Sequence, residues 1–342
     1  MKNDKKRANV TIFDVAKEAQ VSKSTVSLVL TQSEKVSDKS KAKVLHAIEK
    51  LGYVYNREAA ALRSKRTNLV ALVMNDLTCP LCAQLAVELE KQVYTLGMVP
   101  MLVSTNECIE RQQQAVQAFK EYNVSAFIMI PAKGTSRQWL DNLYDSGFLV
   151  ITIMREIAFA KAPSILPDNK KGTHLATSHL IEVGARHIAA LGEQDCFEYQ
   201  AKLAGFQSAL TSHHVKHQAT VIDVQNNRRA GKKAFKQLIE THRNIDAVMC
   251  FSDFIAYGVV DTMREIGLSP GRDIKVIGFN DFADSQFMTP SLSSVKIDIN
   301  EICRRTCQTL SEQLSGTTPA ATTIVDVTLQ LRDSSQICEI GV

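Results

Sequence analysis

Residues Thr11 to Leu30, TIFDVAKEAQVSKSTVSLVL, contain two short helical patterns that meet at a tight polar turn. Ile12, Val15, Ala16 and Ala19 recur at spacings of three and four, so one face of the first helix is apolar. Val21 follows the turn, and either Ser24 or Ser22 can cap a second helix whose apolar side is Val26, Val29 and Leu30. The other face of that helix presents Lys23, Ser24, Ser27 and Leu28: short polar side chains, one cation and an apolar tip. Such a face can enter the DNA major groove, read base edges and touch a thymine methyl. By spacing alone, a plain helical hairpin at an N-terminus fits equally well.

Charge separates this end from the remainder. Residues 1–66 hold 15 Lys+Arg and 7 Asp+Glu, a net of +8, and the other 276 residues hold 25 and 29, a net of −4. A basic segment on an acidic body points to a polyanion partner at one end. A third helix from Ser37, its cap, to about Leu51 would bury Val44, Leu45, Ile48 and Leu51 and end at Gly52. Lys35, Lys39, Lys41 and Lys43 would remain for phosphates. A solubilising tail would not carry such a core.

The stretch resembles the headpiece of the Lac repressor (LacI/GalR) family of bacterial regulators, through Thr11, Asp14-Val15-Ala16, Ala19, Val21-Ser22 and Thr25-Val26-Ser27. The likeness continues through Val36-Ser37, Val44, Ala47-Ile48, Leu51-Gly52-Tyr53 and Asn56-Arg57, and more thinly over nearly the whole chain. It implies a sequence-specific repressor that binds a palindromic operator as a homodimer under control of a small-molecule effector. The family's base-reading positions fall on Lys23, Ser24 and Leu28, and Leu28 stands where the Lac repressor itself has arginine, so one forked guanine contact is absent. Ser22, Thr25, Ser27, Thr31 and Ser37 are natural phosphate contacts, and Thr11 and Lys35 complete the expected headpiece set. Asn56, Arg57, Ala59 and Leu62 belong to a short alanine-rich run. An isolated helix of that length is marginal in water. The resemblance makes it a hinge helix that orders on DNA and wedges Leu62 into the minor groove. Tyr55 replaces the proline many relatives carry before it. A simple linker is the alternative.

From Asn68 onward, short apolar runs alternate with helical patterns. Strands are expected at Leu69–Met74, Val99–Val103, Ala126–Ile130, Leu149–Ile153, His187–Leu191, Ala219–Ile222, Ala247–Phe251 and Lys275–Gly278, with helices between. This alternation implies parallel sheets covered on both faces. The expected fold class is an all-α helix-turn-helix headpiece with a hinge, then a two-lobed α/β body of doubly wound parallel sheets resembling periplasmic binding proteins. The divisions would be 1–55 for the headpiece, 56–66 for the hinge and 67–342 for the body. Its lobes would be about 67–164 plus 295–322, and 165–294 plus 323–335.

Ligands in such folds bind beyond the carboxyl ends of strands. Asn75-Asp76, Arg155, Ser252-Asp253 and Asn280-Asp281 follow predicted strands and could bond sugar or nucleoside hydroxyls, although Asp76 and Asp281 could equally cap helices. The resemblance, through landmarks such as Pro167-Asp168-Asn169 and Val276-Ile277-Gly278-Phe279-Asn280-Asp281, makes the effector set Asp76, Leu81, Arg155, Asp168, Lys202, Ser252, Asp253 and Asn280. Lys202 replaces a usual arginine, Ser252 a common asparagine and Leu81 a usual aromatic, so a standard sugar pose is in doubt. Ser27-Leu28-Val29-Leu30 and the Pro167 turn resemble the maltose-regulon members of the family.

Other signals point elsewhere only weakly. Cys79-Pro80-Leu81-Cys82 has redox spacing without oxidoreductase context. His213, His214 and His217 lack thiol or carboxylate support for a metal. No cofactor, phosphate loop, nucleophile elbow or catalytic dyad is expected, so an enzyme is disfavoured. The absence of a leader in MKNDKKRANV and of a long apolar run predicts a cytoplasmic, nucleoid-associated protein without membrane contact. The lack of a C-terminal heptad repeat predicts a dimer rather than a tetramer. A solute-binding protein of a transport system is the alternative for the body fold.

Overall fold

The computed structural model describes residues 10–30, 35–54, 67–213 and 218–336. Contacts divide the chain into a unit ending at Thr67 and a larger unit from Asn68.

In the first unit, α1 (Ile12–Glu18), α2 (Lys23–Leu30) and α3 (Asp38–Leu51) enclose Val15, Ala16, Ala19, Val26, Val29, Val44 and Ala47. Thr11 and Asp14 form a reciprocal cap at the start of α1. Ser22, not Ser24, caps α2: its Oγ accepts from the Thr25 amide at 3.1 Å. Ser37 caps α3, and Gly52 ends it at φ +63, a left-handed position that costs glycine little. Leu45, expected inside, is 52% exposed, and Ala47 takes the inner position. The stripe follows 44, 47, 48 and 51, and Leu45 falls a hundred degrees off it. Lys50 of α3 pairs with Glu18 of α1 at 2.6 Å.

The second unit has two six-stranded sheets. The first contains β1 (Leu69–Met74), β2 (Val99–Ser104), β3 (Ala126–Met129), β4 (Leu149–Ile153), β5 (Ser164–Pro167) and β11 (Thr322–Val325), in spatial order 11-5-4-3-1-2 and parallel throughout. The second contains β6 (His187–Gly192), β7 (Gln218–Asp223), β8 (Ala247–Cys250), β9 (Lys275–Asn280), β10 (Ser293–Ile297) and β12 (Val327–Gln330), in order 12-10-9-8-6-7. Its edge strand β12 is antiparallel to β10, which the expectation of purely parallel sheets did not include. Helices α4 (Pro80–Thr95), α5 (Ile109–Glu121), α6 (Arg137–Asp145), α7 (Asn169–Glu182), α8 (Tyr199–Ser212), α9 (Arg228–Thr241), α10 (Asp253–Glu265) and α11 (Ile299–Leu314) connect them. Strands such as Leu69–Met74 are nearly continuous apolar runs because both sheet faces are covered.

The expected lobe limits need three corrections. Ile165–Pro167 belongs to the first sheet as part of β5, Val295–Ile297 to the second as part of β10, and Thr323–Val325 to the first as part of β11. The chain therefore crosses between lobes at 167–169, 297–299 and 325–327. A crossing strand carries the same apolar signal whichever sheet it joins, so only the long-range pairing assigns it.

Candidate nucleic-acid interface and effector cleft

On the first unit, α2 exposes Ser24 and Leu28, Leu28 being 38% exposed, while Lys23, Thr25 and Ser27 are half-buried at the rim of the core. Thr11, Ser22, Lys35 and Ser37 are exposed as well. Several of these polar groups also hold local structure: Thr11 bonds Asp14, Ser22 meets the Thr25 hydroxyl at 2.9 Å, and Ser37 meets Ser40 at 3.1 Å. The caps fix the angle of α2 and leave further lone pairs on the same oxygens. Lys23 Nζ lies 4.5 Å from the centroid of Phe13, which is 63% exposed. Phe13 was not singled out from the sequence: it lies off the Ile12, Val15, Ala16 and Ala19 stripe, and no motif marks it. Thr31, Asn56, Arg57, Ala59 and Leu62 lie outside the described residues.

Between the lobes is a cavity of about 270 Å³, close to the lower end of ligand pockets, roughly 300 Å³. It lies beyond the carboxyl ends of strands of both sheets. Asp76, Leu81, Arg155, Lys202 and Asn280 line it. Arg155 forms a two-pronged bond to Glu107 at 2.7 and 2.9 Å, donates to the Pro131 carbonyl at 2.8 Å, and stacks 5.0 Å from Phe197. Burial pushes the Glu107 carboxyl up, but the Arg155 bonds and charge more than offset this and hold it below its ordinary value. Asn75 donates to the same carboxylate at 2.8 Å. Lys133, after β3, bonds Glu193, after β6, at 2.6 Å and so ties one lobe to the other.

Lys202 is 2% exposed. Its Nζ donates to the Phe251 carbonyl at 2.8 Å, lies 3.7 Å from Glu198 and stands 4.1 Å over the Phe279 ring. Burial holds this ammonium below its ordinary pKa against the opposing charge of Glu198. It lines the cavity as an anchored group rather than an extended clamp. Asp76 accepts from the Thr78 amide and hydroxyl at 2.8 and 2.7 Å, so it holds the turn before α4 while lining the cavity, and it does not cap the helix, whose N-cap is Cys79. Asn280, with φ +106, and Asp281, with φ +54, form a left-handed pair of non-glycine residues at the end of β9, the kind of local strain that clusters at ligand sites. Asp281 itself pairs with Arg332 at 2.7 Å.

Three expected effector residues are placed elsewhere. Asp253 is fully buried, accepting from the Phe282 amide at 2.7 Å, Ser294 Oγ at 2.6 Å and Ser285 Oγ at 3.1 Å. It ties α10 to the turn after β9 and to β10. Ser252 is 3% exposed and caps α10 through the Phe254 amide. Asp168 caps α7 through the Lys171 amide at 2.9 Å and does not line the cavity. Residues at strand ends can be consumed by the helix that follows, and sequence position alone does not distinguish the two uses.

Glu107, Lys133, Glu193, Glu198 and Asn226 line the cavity and were not anticipated. The strand-end rule could have found Glu107, Glu193 and Asn226, which follow β2, β6 and β7, had it been applied to every strand. A second, wider cavity of about 860 Å³ shares Leu81, Asn280 and Ile297 with the first and extends along α4 and the crossover strands. Among the described residues no group of three or more His, Cys, Asp or Glu could hold a metal ion. No helix among them is long and apolar enough to cross a membrane.

Comparison with known proteins agrees with both units. The pattern described as "Bacterial regulatory proteins, lacI family" matches residues 11–56, and that described as "Periplasmic binding protein-like domain" matches residues 177–335. The chain is 28% identical over 305 residues to the ribose operon repressor of Halalkalibacterium halodurans, covering 89% of this chain and 90% of that one. It is 29% identical over 265 residues to the maltose regulon regulatory protein MalI of Escherichia coli K12, covering 77% and 78%. Among solved structures, the Lac repressor dimer bound to operator and the anti-inducer ONPF superimposes with a TM-score of 0.83 at 25% identity, covering 96% of this chain and 99% of that one.

Proposed function

We propose, from the premise that this chain belongs to the lacI family of bacterial regulatory proteins, that it represses transcription by binding a palindromic operator as a homodimer, and that a small neutral polyhydroxylated molecule in the inter-lobe cleft controls it. The observation that carries the DNA-binding half is the capped helix α2, whose Ser24 and Leu28 face outward beside Lys23 and Phe13. In this reading Lys23, Ser24 and Leu28 meet base edges; Ser22, Thr25, Ser27, Thr31, Lys35 and Ser37 meet phosphates; and Phe13 braces Lys23 at the groove. Asn56, Arg57, Ala59 and Leu62 form the hinge contact, as the family resemblance implies. A solute-binding role would leave the headpiece without a use, and the relatives are named as regulators rather than transporters or enzymes. The site of action is the bacterial cytoplasm, at the nucleoid.

The effector class follows from charge. Arg155 is matched by Glu107, Lys133 by Glu193, and Lys202 by the Phe251 carbonyl and Glu198. A phosphate entering the cleft would have to displace one of these carboxylates from its cation and would meet the negative charge of the others at close range. Neutral hydroxyls can instead bond the outer lone pairs of Asp76, Glu107 and Glu193 and the amides of Asn280 and Asn226.

Fluorescence anisotropy with a labelled palindromic duplex, with and without a panel of neutral sugars, tests the whole reading. Salt-sensitive, sequence-selective binding that one neutral sugar shifts at least fivefold supports it. Binding indifferent to sequence overturns the operator reading, and a response only to phosphorylated sugars overturns the effector class.

A further inference from the structure

The Cys79–Cys82 pair gains a setting in three dimensions that its spacing alone did not disclose. Cys79 occupies the N-cap of the sixteen-residue helix α4, Pro80 starts the helix, and Cys82 lies within its first turn. Both residues line the inter-lobe cavity. Cys79 is half-buried and Cys82 is 6% exposed, so Cys79 is the more accessible of the two. The Cys82 thiol donates to Asn75 Oδ1 at 3.1 Å.

We infer that Cys79 and Cys82 form a reactive dithiol that takes low-molecular-weight disulfides and closes to an internal disulfide inside the effector cleft. The Cys79 thiolate attacks the disulfide RS–SR, forming Cys79–S–SR and releasing RS⁻. Cys82 gives its proton to the released thiolate and attacks the Cys79 sulfur, expelling the second RS⁻, which takes a proton from solvent. Two cysteine thiols are oxidised to one disulfide, and one external disulfide is reduced to two thiols.

The local chemistry favours Cys79 as the attacking sulfur. The neighbouring Cys82 thiol and the helix amides of Leu81 and Cys82 lower its pKa to about 7. Burial, with the neighbouring carboxylates, acts the other way on Cys196, across the cavity, whose thiol is pushed up to about 12. Cys108 supplies an internal control: it also caps a helix, α5, but its sulfur meets the Glu110 carboxylate at 3.1 Å rather than a second thiol.

Closure reaches the ligand-facing charges through one chain of bonds. Oxidation removes the Cys82 proton from Asn75 Oδ1. Asn75 Nδ2 in turn holds Glu107 at 2.8 Å, and Glu107 holds Arg155 and the Lys133 amide, the latter at 3.1 Å. The redox state of the pair thus bears on the same cleft; this last step alone rests on the effector reading.

The test treats the reduced full-length protein with oxidised glutathione and maps its peptides by mass spectrometry. At pH 7 the half-ionised Cys79 should react roughly threefold faster than an ordinary thiol, because about fifteen times more thiolate is partly offset by lower nucleophilicity. Wild type should end with Cys79 linked to Cys82. Cys82→Ser should stop at a glutathione adduct on Cys79, and Cys79→Ser should abolish modification of α4. Hydrogen exchange at the Lys133 amide should quicken severalfold on oxidation of wild type and stay unchanged in Cys82→Ser before treatment with oxidant. An adduct on Cys79 no faster than on Cys108, or a wild-type product without the internal link, overturns the dithiol. Unchanged exchange at Lys133 in the linked protein overturns its connection to Glu107, and neither result depends on whether the protein binds an operator.

Discussion

Lys133 Nζ and Glu193 Oε1 meet at 2.6 Å across the cleft, one from the loop after β3 and the other from the loop after β6. Glu193 also accepts from the Asn226 amide at 2.8 Å, so the contact fastens three loops drawn from both lobes. Both side chains are partly exposed, at 30% and 21%, which places the pair near the strength of a surface salt bridge, about 1 kcal/mol. Glu193→Ala is expected to release the lobes by that amount, or about fivefold in the population of open states. Native-state hydrogen exchange at the Lys133 amide, which Glu107 and not Glu193 holds, reads this; protection equal to wild type would show that the contact does not hold the cleft.

Lys202 gives a pH signature. Burial lowers its folded pKa below the 10.5 of an ordinary lysine. The unfolded chain therefore keeps this proton to a higher pH than the native one does. Where the unfolded state binds more protons, stability rises with pH, so this group's contribution improves between the lowered folded value and 10.5. The melting temperature of wild type minus that of Lys202→Met should rise steadily between pH 8 and 10.5. A difference that falls with pH contradicts the burial of a charged lysine here.

On the headpiece, Lys23→Ala and Leu28→Ala should fail in different ways. Losing the Lys23 cation should weaken operator binding about tenfold and lower the slope of log affinity against log salt by about one if the lysine meets phosphate, or leave the slope intact and relax one base position if it reads a base. Leu28→Ala should relax discrimination at a single thymine by about 1 kcal/mol with no change of slope. Affinity titrations at several salt concentrations separate these outcomes, and a Leu28→Ala protein with unaltered base preference would remove Leu28 from the reading face.

Leu62→Ala, a change in the expected hinge, should reduce operator affinity by at least tenfold, since a lost wedge forfeits a few kcal/mol of added contact. Sugar-induced thermal shifts of the same variant should match wild type. Undiminished operator affinity would reject the wedge.

Gly278 tests the buried carboxylate. A Cβ at this position would lie 2.0 Å from Asp253 Oδ1. Because Asp253 is fixed by three donors, it cannot retreat without breaking a bond. Gly278→Ala should therefore cost about 3 kcal/mol, measured as the drop in denaturant midpoint at constant slope. A variant as stable as wild type would mean that the Asp253 network yields freely.

The amino-acid order alone determined the elements and their broad use. Period-3.6 patterns marked the three headpiece helices, with serine caps on the second and third and a glycine stop on the third, and apolar runs such as Leu69–Met74 and Leu149–Ile153 marked strands residue for residue. These features are local: a cap or a period is complete within a few neighbours in the chain. Tertiary structure alone decided which sheet received Ile165–Pro167, Val295–Ile297 and Thr323–Val325, because strand pairing joins residues far apart in sequence. It also separated Asp76 and Arg155, which face the cavity, from Asp253, which is sealed by three donors from two other segments, although all follow strands or begin helices in the same way. A carboxylate's role depends on whether its lone pairs are already taken, and the groups that take them arrive from distant parts of the chain.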